Sequence, residues 1–217
     1  MKVIFCDFDG TITESDNILA IMQHIQPPGW EDLLHRLVKK RSLSIRQAVG
    51  AMFRLIPASR QKEVVDFPIR NARIREGFGS FVEYCREQDI QLLVTSGGID
   101  FFVYPLLEPF GIPRERIFCN ASSFEGDRIE IIWPHSCDEY CQADCGMCKT
   151  SIIRGYNPEE YTRILIGDSI TDFEGAKLVE KVFARSHLVD LCKKKGYPYH
   201  RFETFTEIIR HLKEMNP

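Results

Sequence analysis

Residues 2–11, KVIFCDFDGT, decide the fold. KVIFCDF is an apolar, β-rich run, the pattern of a strand buried on both faces. It ends in Asp7-Phe8-Asp9-Gly10-Thr11, two carboxylates and a glycine turn at the strand's carboxyl end. Outward from here, strand and helix alternate. GFGSFVEYCREQD reads as a helix and IQLLVTS as a strand. IDFFVYPLLEPFG is a helix stopped near Gly111, and RIFCN is a strand. FEGDRIEIIW reads as a hairpin around Gly126 and Asp127. TSIIRGY is helical, RILIGDS a strand, TDFEGAKLVE a helix, KVFA a short strand and TFTEIIRHLKEM, ending at Met215, the last helix. This alternation predicts an α/β fold, a mostly parallel sheet with helices on both faces. Such sheets bind ligands outside the carboxyl ends of their strands.

Between Ser15 and about Arg75 the period changes to that of helices. WEDLLHRLVKK places Trp30, Leu33, Leu34, Leu37 and Val38 on one stripe. SIRQAVGAMFRLI does the same with Ile45, Ala48, Val49, Met52, Phe53 and Ile56 behind an N-cap at Ser44. Residues 15–75 are therefore expected to be a small helical cap inserted into a core made of residues 1–14 and 76–217.

The strand ends carry the chemistry. The second expected strand ends in Thr95-Ser96-Gly97-Gly98, and a later one in Gly167-Asp168-Ser169, with Asp172 one helical turn on. Crowded carboxylates repel and need a cation. An all-oxygen set suits Mg²⁺ with substrate phosphate and water. Asp7 is placed to attack phosphorus and form an aspartyl-phosphate. Asp9 is placed to protonate the leaving oxygen and then deprotonate water. Ser96 and the amides around Gly97 can hold phosphate oxygens, and Lys149 can neutralise charge on the transferring group. Taken singly, each motif is also an ordinary turn or helix cap. Together, at successive strand ends, they point to phosphoryl transfer from a small-molecule phosphate ester.

The chain has 217 residues, a formal charge of −3 and eight cysteines. No basic surface argues for nucleic acid. No apolar run approaches the roughly 20 residues of a membrane span, and MKVIFCDFDG meets acids too early for a signal peptide. A cytoplasmic protein with reduced thiols or metal-bound cysteines is the expectation. Four of them, Cys137, Cys141, Cys145 and Cys148, fall just before Lys149. Three readings stand: a structural Zn²⁺ site with His135 as a further candidate ligand, reduced thiols sharing one helical face, or disulfides. In each, the cluster is a scaffold that delivers Lys149. Cys6 and Cys119 are expected in strands and Cys85 on a helix face. Cys192, beside Lys193 to Lys195, is expected at a solvated surface.

In this order, DFDGT, SGG, a later lysine and GDSITD resemble the haloacid dehalogenase-like phosphatases, over nearly the whole chain. The helical insertion resembles the cap of the phosphoserine phosphatase-type branch. The resemblance implies a Rossmann-like core, Asp7 as nucleophile and Asp9 as general acid and base. It implies Mg²⁺ on Asp7, Asp168 and the backbone carbonyl of Asp9, supported by Asp172. Ser96 and Lys149 would hold the phosphoryl group, and Thr11 would orient Asp9. CDFDGTIT, SGGIDFFVYPLLE and WPHSC are more closely similar to the methionine-salvage branch, which implies a methylthio-substituted enol phosphate as substrate. Phosphoserine or another small ester is the alternative within the family, and a zinc-dependent interaction or redox module the alternative outside it. Asp16 replaces the glutamate with which phosphoserine phosphatases read an amino group. It is expected either to meet a substrate hydroxyl or to cap a helix. Met52 and Phe53 are candidates for packing on a thioether.

Overall fold

The first strand, β1 (Lys2–Cys6), sends Val3 and Phe5 to one face of a sheet and Ile4 and Cys6 to the other. All four are fully buried, as the unbroken apolar run requires of a central parallel strand. The computed structural model describes residues 1–214. The other strands are β2 (Gln91–Ile99), β3 (Ile117–Ser123), β4 (Glu130–Ile132), β5 (Thr162–Gly167), β6 (Lys181–Ala184) and β7 (His200–Arg201). They form one sheet in the order β4-β3-β2-β1-β5-β6-β7, parallel except where β4 pairs antiparallel with β3. The order runs outward in both directions from β1, so the carboxyl end of β1 lies at the topological switch point.

The helices are α1 (Asn17–Ile25), α2 (Trp30–Val38), α3 (Ile45–Arg54), α4 (Gln61–Asn71), α5 (Phe78–Glu87), α6 (Asp100–Leu107), α7 (Lys149–Arg154), α8 (Ile170–Ala176), α9 (Ser186–Lys195) and α10 (Phe205–Glu214). α5, α6 and α10 bury apolar residues on the Ile4–Cys6 face, and α7, α8 and α9 on the Val3–Phe5 face. The four helices α1–α4 lie between β1 and β2 in the chain, and their inner residues Ile21, Met22, Met52 and Phe53 continue the first of these cores. Two seams fasten this insert. The chain leaving for it and the chain returning pair antiparallel, with Glu14 N–H on the Arg73 carbonyl (2.9 Å) and Arg75 N–H on the Ile12 carbonyl (2.8 Å). Farther out, the Ala58 N–H donates to the Asp127 carbonyl (2.9 Å) and the Ile129 N–H to the Ile56 carbonyl (3.2 Å). The Arg54 guanidinium grips Glu130 (2.8 Å).

Several expectations are revised by packing. The α2 stripe is core only in part: Trp30 and Leu33 pack against the first core, but no residue of α2 is fully buried, and Val38 is 55% exposed. Periodicity says which side chains share a face, not what covers it. Cys192 is fully buried rather than solvated, because α9, which was not foreseen, turns Leu188, Val189 and Cys192 toward the sheet. Its three lysines occupy the last turn, where the helix dipole favours them. α8 stops at Ala176 rather than Glu180, whose backbone N–H and side chain are tied to Arg163 in β5. The first arm of the hairpin is the end of β3, Ala121–Ser123, not the residues after it. The expected end of the last helix at Met215 lies outside the described residues. Among the described residues, no helix is long and apolar enough to cross a membrane.

Phe205 ties α10 to the core. It is fully buried, with ring centroids 5.0 Å from Phe78 and 5.1 Å from Phe81. Phe205→Ala should cost about 3–5 kcal/mol, roughly 6–20 °C in Tm by calorimetry for a chain of this size. A drop under about 3 °C would show that α10 contributes little to the core.

Candidate active site

β1 runs out at Cys6, and the Asp7 amide still pairs with the Ile166 carbonyl of β5 (2.9 Å). The chain then folds into a tight helical turn at Phe8–Ile12, in which Gly10 has φ +79°. A Cβ there would stand 2.4 Å from Asp168 Oδ2, so the position requires glycine for its backbone and for its space. Two guanidiniums hold the turn. Arg75 donates to the carbonyls of Thr11 (2.7 Å), Gly10 (2.9 Å) and Thr13 (3.2 Å), and Arg185 to that of Gly10 (2.6 Å).

The carboxylates Asp7, Asp168 and Asp172 converge, with ligand oxygens within 4.8 Å of one another. Lys149, the first residue of α7, reaches into them. Its Nζ donates to Asp7 Oδ1 (2.9 Å) and contacts Asp172 Oδ1. Asp172 Oδ2 accepts from the amides of Asp168 (3.1 Å) and Ser169 (3.0 Å) and from the Ser169 hydroxyl (3.1 Å), the capping box of α8. Asp172 thus has both oxygens engaged, whereas the buried Oδ1 of Asp168 has no hydrogen-bond partner among the described residues.

The electrostatics follow from burial. Asp7 and Lys149 are each 6% exposed and Asp172 is fully buried. Burial, then repulsion from Asp172, pushes the Asp7 carboxyl well up against the pull of Lys149. Burial and Asp172 raise Asp168 to about 6. Burial opposes the charge on Lys149, but Asp172 and Asp7 outweigh it and raise its affinity for the proton. Three carboxylates against one contacting ammonium leave two negative charges. A hard all-oxygen donor set, an orphaned buried carboxylate oxygen and this deficit of two fit a divalent cation such as Mg²⁺.

Asp9 sits beside this cluster. Its Oδ1 accepts from the Asn17 amide (2.9 Å) and the Asn17 side chain (2.7 Å). Burial, then Asp16, raises its pKa to about 7, with the Asn17 bonds opposing. Thr11 makes no hydrogen bond to Asp9: its hydroxyl is buried without a partner among the described residues, and Asn17 does the holding. The buried Ser96 hydroxyl accepts from the Gly98 amide (2.9 Å), and Gly97 lines the cavity above Asp7. Asp16 is the N-cap of α1, accepting from the Leu19 amide (2.8 Å), and also lines that cavity. Met52 lines it too. Phe53 lies in the core, edge-on to Phe101 with centroids 6.1 Å apart. Asn17, Arg75 and Arg185 escaped the sequence reading. Arg185 alone left a signal, since it directly follows a strand.

The four thiols of Cys137, Cys141, Cys145 and Cys148 gather within 4.8 Å of one another and are unbonded. They do not share a helical face, because 133–148 is an irregular loop between β4 and α7. His135 is not among them; its ring packs on Phe118 and its carbonyl accepts the Cys148 amide (2.8 Å).

Comparison with known proteins agrees with this geometry. The family model described as haloacid dehalogenase-like hydrolase matches residues 4–177. A 2-hydroxy-3-keto-5-methylthiopentenyl-1-phosphate phosphatase of Brevibacillus brevis is 50% identical over 98% of this chain and 96% of its own. A protein of the same name from Geobacillus kaustophilus is 49% identical with the same coverage. A substrate-bound phosphoserine phosphatase structure shares the fold at TM-score 0.70 and 18% identity, covering 97% of each chain. The phosphoserine phosphatase of T. onnurineus does so at TM-score 0.71 and 15% identity, covering 98% of this chain and 94% of that one.

A cation that relieves the carboxylate repulsion must stabilise the fold. Mg²⁺ at about 100 times its Kd should contribute about 2.7 kcal/mol, or roughly 5–11 °C in Tm. In Asp168→Asn the Mg²⁺ shift should vanish while the cation-free Tm does not fall, since one repelling charge is gone. An undiminished Mg²⁺ shift in that variant would place the cation elsewhere.

Proposed function

The chain belongs to the haloacid dehalogenase-like hydrolases, and on that premise we propose that it is the methionine-salvage phosphatase that converts 2-hydroxy-3-keto-5-methylthiopentenyl-1-phosphate to 1,2-dihydroxy-3-keto-5-methylthiopentene. The observation that carries the substrate is a cavity of about 640 Å³. Its floor is Asp7, Asp9, Gly97 and Asp168, suited to a phosphate. Its wall is Met22, Leu34, Leu37, Val49 and Met52 from the helical insert, suited to a thioether tail. The unburied stripe of α2 is thereby explained: Leu34 and Leu37 face the substrate's space rather than a core. Residues 15–75 act as a cap over a core of residues 1–14 and 76–217.

Asp7 is the nucleophile. Its Oδ1 is held by Lys149, which leaves Oδ2 to attack phosphorus as the bond to the leaving oxygen breaks. Asp9 gives that oxygen its proton. Water then attacks the phosphorus of the aspartyl-phosphate, Asp9 takes the water's proton, and Asp7 is released. A group that titrates at about 7 can both give and take a proton near neutrality, and Asn17 fixes which of its oxygens is free to do so. Lys149 stays protonated and offsets charge on the phosphoryl oxygens, as do Ser96 and the amides around Gly97. Asp7, Asp168 and the Asp9 carbonyl would hold Mg²⁺, with Asp172 behind them; when bound, it would supply Lewis-acid stabilisation of phosphoryl oxygen. An enolate is a weaker base than an alkoxide, so the Asp9 proton matters less in the first step than its basicity in the second.

Phosphate release should be fastest with the methylthiopentenyl enol phosphate, and O-phosphoserine should be a poorer substrate because it has no apolar tail to cover Met22, Leu34, Leu37, Val49 and Met52. Asp7→Asn should lower kcat by at least about a thousandfold. Equal kcat/KM for the two esters would remove the pathway assignment, and an active Asp7→Asn enzyme would remove the mechanism.

A further inference from the structure

We propose that Cys137, Cys141, Cys145 and Cys148 bind one Zn²⁺ ion as a tetrathiolate, and that this ion is what shapes the loop carrying Lys149. The distances are the first reason. At a Zn–S bond of about 2.3 Å, the edge of a tetrahedron of sulfurs is roughly 3.8 Å. Cys141 Sγ and Cys145 Sγ are 3.8 Å apart, and all four sulfurs lie within 4.8 Å of one another. A disulfide needs about 2.0 Å, and every one of the four is a free thiol. The space they enclose suits a single ion.

The surroundings are the second reason. The Cys145 amide donates to Cys137 Sγ (3.4 Å), and the Thr150 hydroxyl lies 3.3 Å from Cys148 Sγ, placed to donate to a thiolate. Donors of this kind orient metal-bound sulfur and spread its charge. Asp144 (φ +50°) and Gly146 (φ +82°), on either side of Cys145, both adopt left-handed backbone. Packing alone does not explain the cluster, since Cys137, Cys141 and Cys145 are only half-buried.

The loop is the third reason. Residues 133–148 contain neither helix nor strand, and an ordered loop of that length without secondary structure is uncommon in a compact domain. This one nevertheless joins distant parts of the fold. Asp144 accepts from the Ser44 hydroxyl at the start of α3 (2.6 Å), and Asp138 pairs with Arg154 of α7 (2.7 Å). Its last residue, Cys148, is the N-cap of α7, so the ion would sit one residue from the lysine that holds Asp7. Neither zinc binding nor its test depends on the phosphatase assignment.

The full-length chain, purified without chelator and dialysed against EDTA, should retain about one zinc per chain by plasma mass spectrometry. Replacement by Co²⁺ should give the intense visible bands and sulfur-to-metal charge transfer of a tetrahedral tetrathiolate. Cys141→Ser and Cys145→Ser should each lose the ion or shift those bands. Removing zinc from the wild-type chain should raise amide exchange across 137–149 at least tenfold and leave β5 unchanged, a readout that survives if a variant fails to fold. A folded wild-type chain with no zinc and four titratable thiols, a chain carrying iron there, or one with two disulfides would each overturn the proposal.

Discussion

Buried negative charge is the constraint on which the rest of this structure depends. A parallel sheet brings Asp7 and Asp168 out at the same edge, and the first turn of α8 adds Asp172. In the low-dielectric space at the sheet edge these carboxylates repel strongly. One contacting lysine offsets part of that. Its ammonium is as enclosed as the carboxylates, so removing it alone would leave an uncompensated buried charge. A divalent cation would offset the remaining deficit of two charges, and once bound would draw phosphate oxygens to the site. Stability and chemistry are here the same electrostatic problem.

The scaffolding around the site can be understood in those terms. Gly10 lets the chain turn within reach of Asp168. Arg75 and Arg185 pin the carbonyls of that turn, Arg185 from the cavity's own lining. Asn17, at the start of the first helix of the insert, holds Asp9. The insert is therefore not only a roof. Its first residues position the acid–base candidate, its apolar helices line the space above, and its far end is sewn to the β3–β4 turn. Any movement of α1 relative to the sheet would disturb Asp9 before it disturbed Asp7, which is anchored to β5 through its own amide.

Much of this was legible because its signals are local. A strand that runs straight into DFDGT, a strand that ends in SGG and another that ends in GDS each place chemistry within a few residues of a recognisable pattern. The α3 capping box at Ser44 and the stop at Gly111 are likewise local. What was not legible depends on contacts made across the chain. Arg75 reaches carbonyls some sixty positions away, and no spacing rule announces that. The α2 stripe has the period of a core helix, yet only Trp30 and Leu33 pack on the core while Leu34, Leu37 and Val38 line a cavity. Cys192 has three lysines after it and a sheet beneath it, and only the tertiary fold reveals the sheet. The cysteines fit a helical period, yet their loop is irregular, because the sulfurs converge around a point rather than along an axis.

The most direct test of the central claim is chemical identification of the phosphorylated residue. Asp9→Asn should slow loss of phosphate from the enzyme more than its transfer to it, so the intermediate should accumulate on mixing with enol phosphate and Mg²⁺. Rapid acid quench, borohydride reduction of the acyl phosphate and peptide mass spectrometry should then find homoserine at position 7 and at no other aspartate. Homoserine at Asp168 or Asp172, or product formed without any reducible intermediate, would contradict the mechanism built here on Asp7.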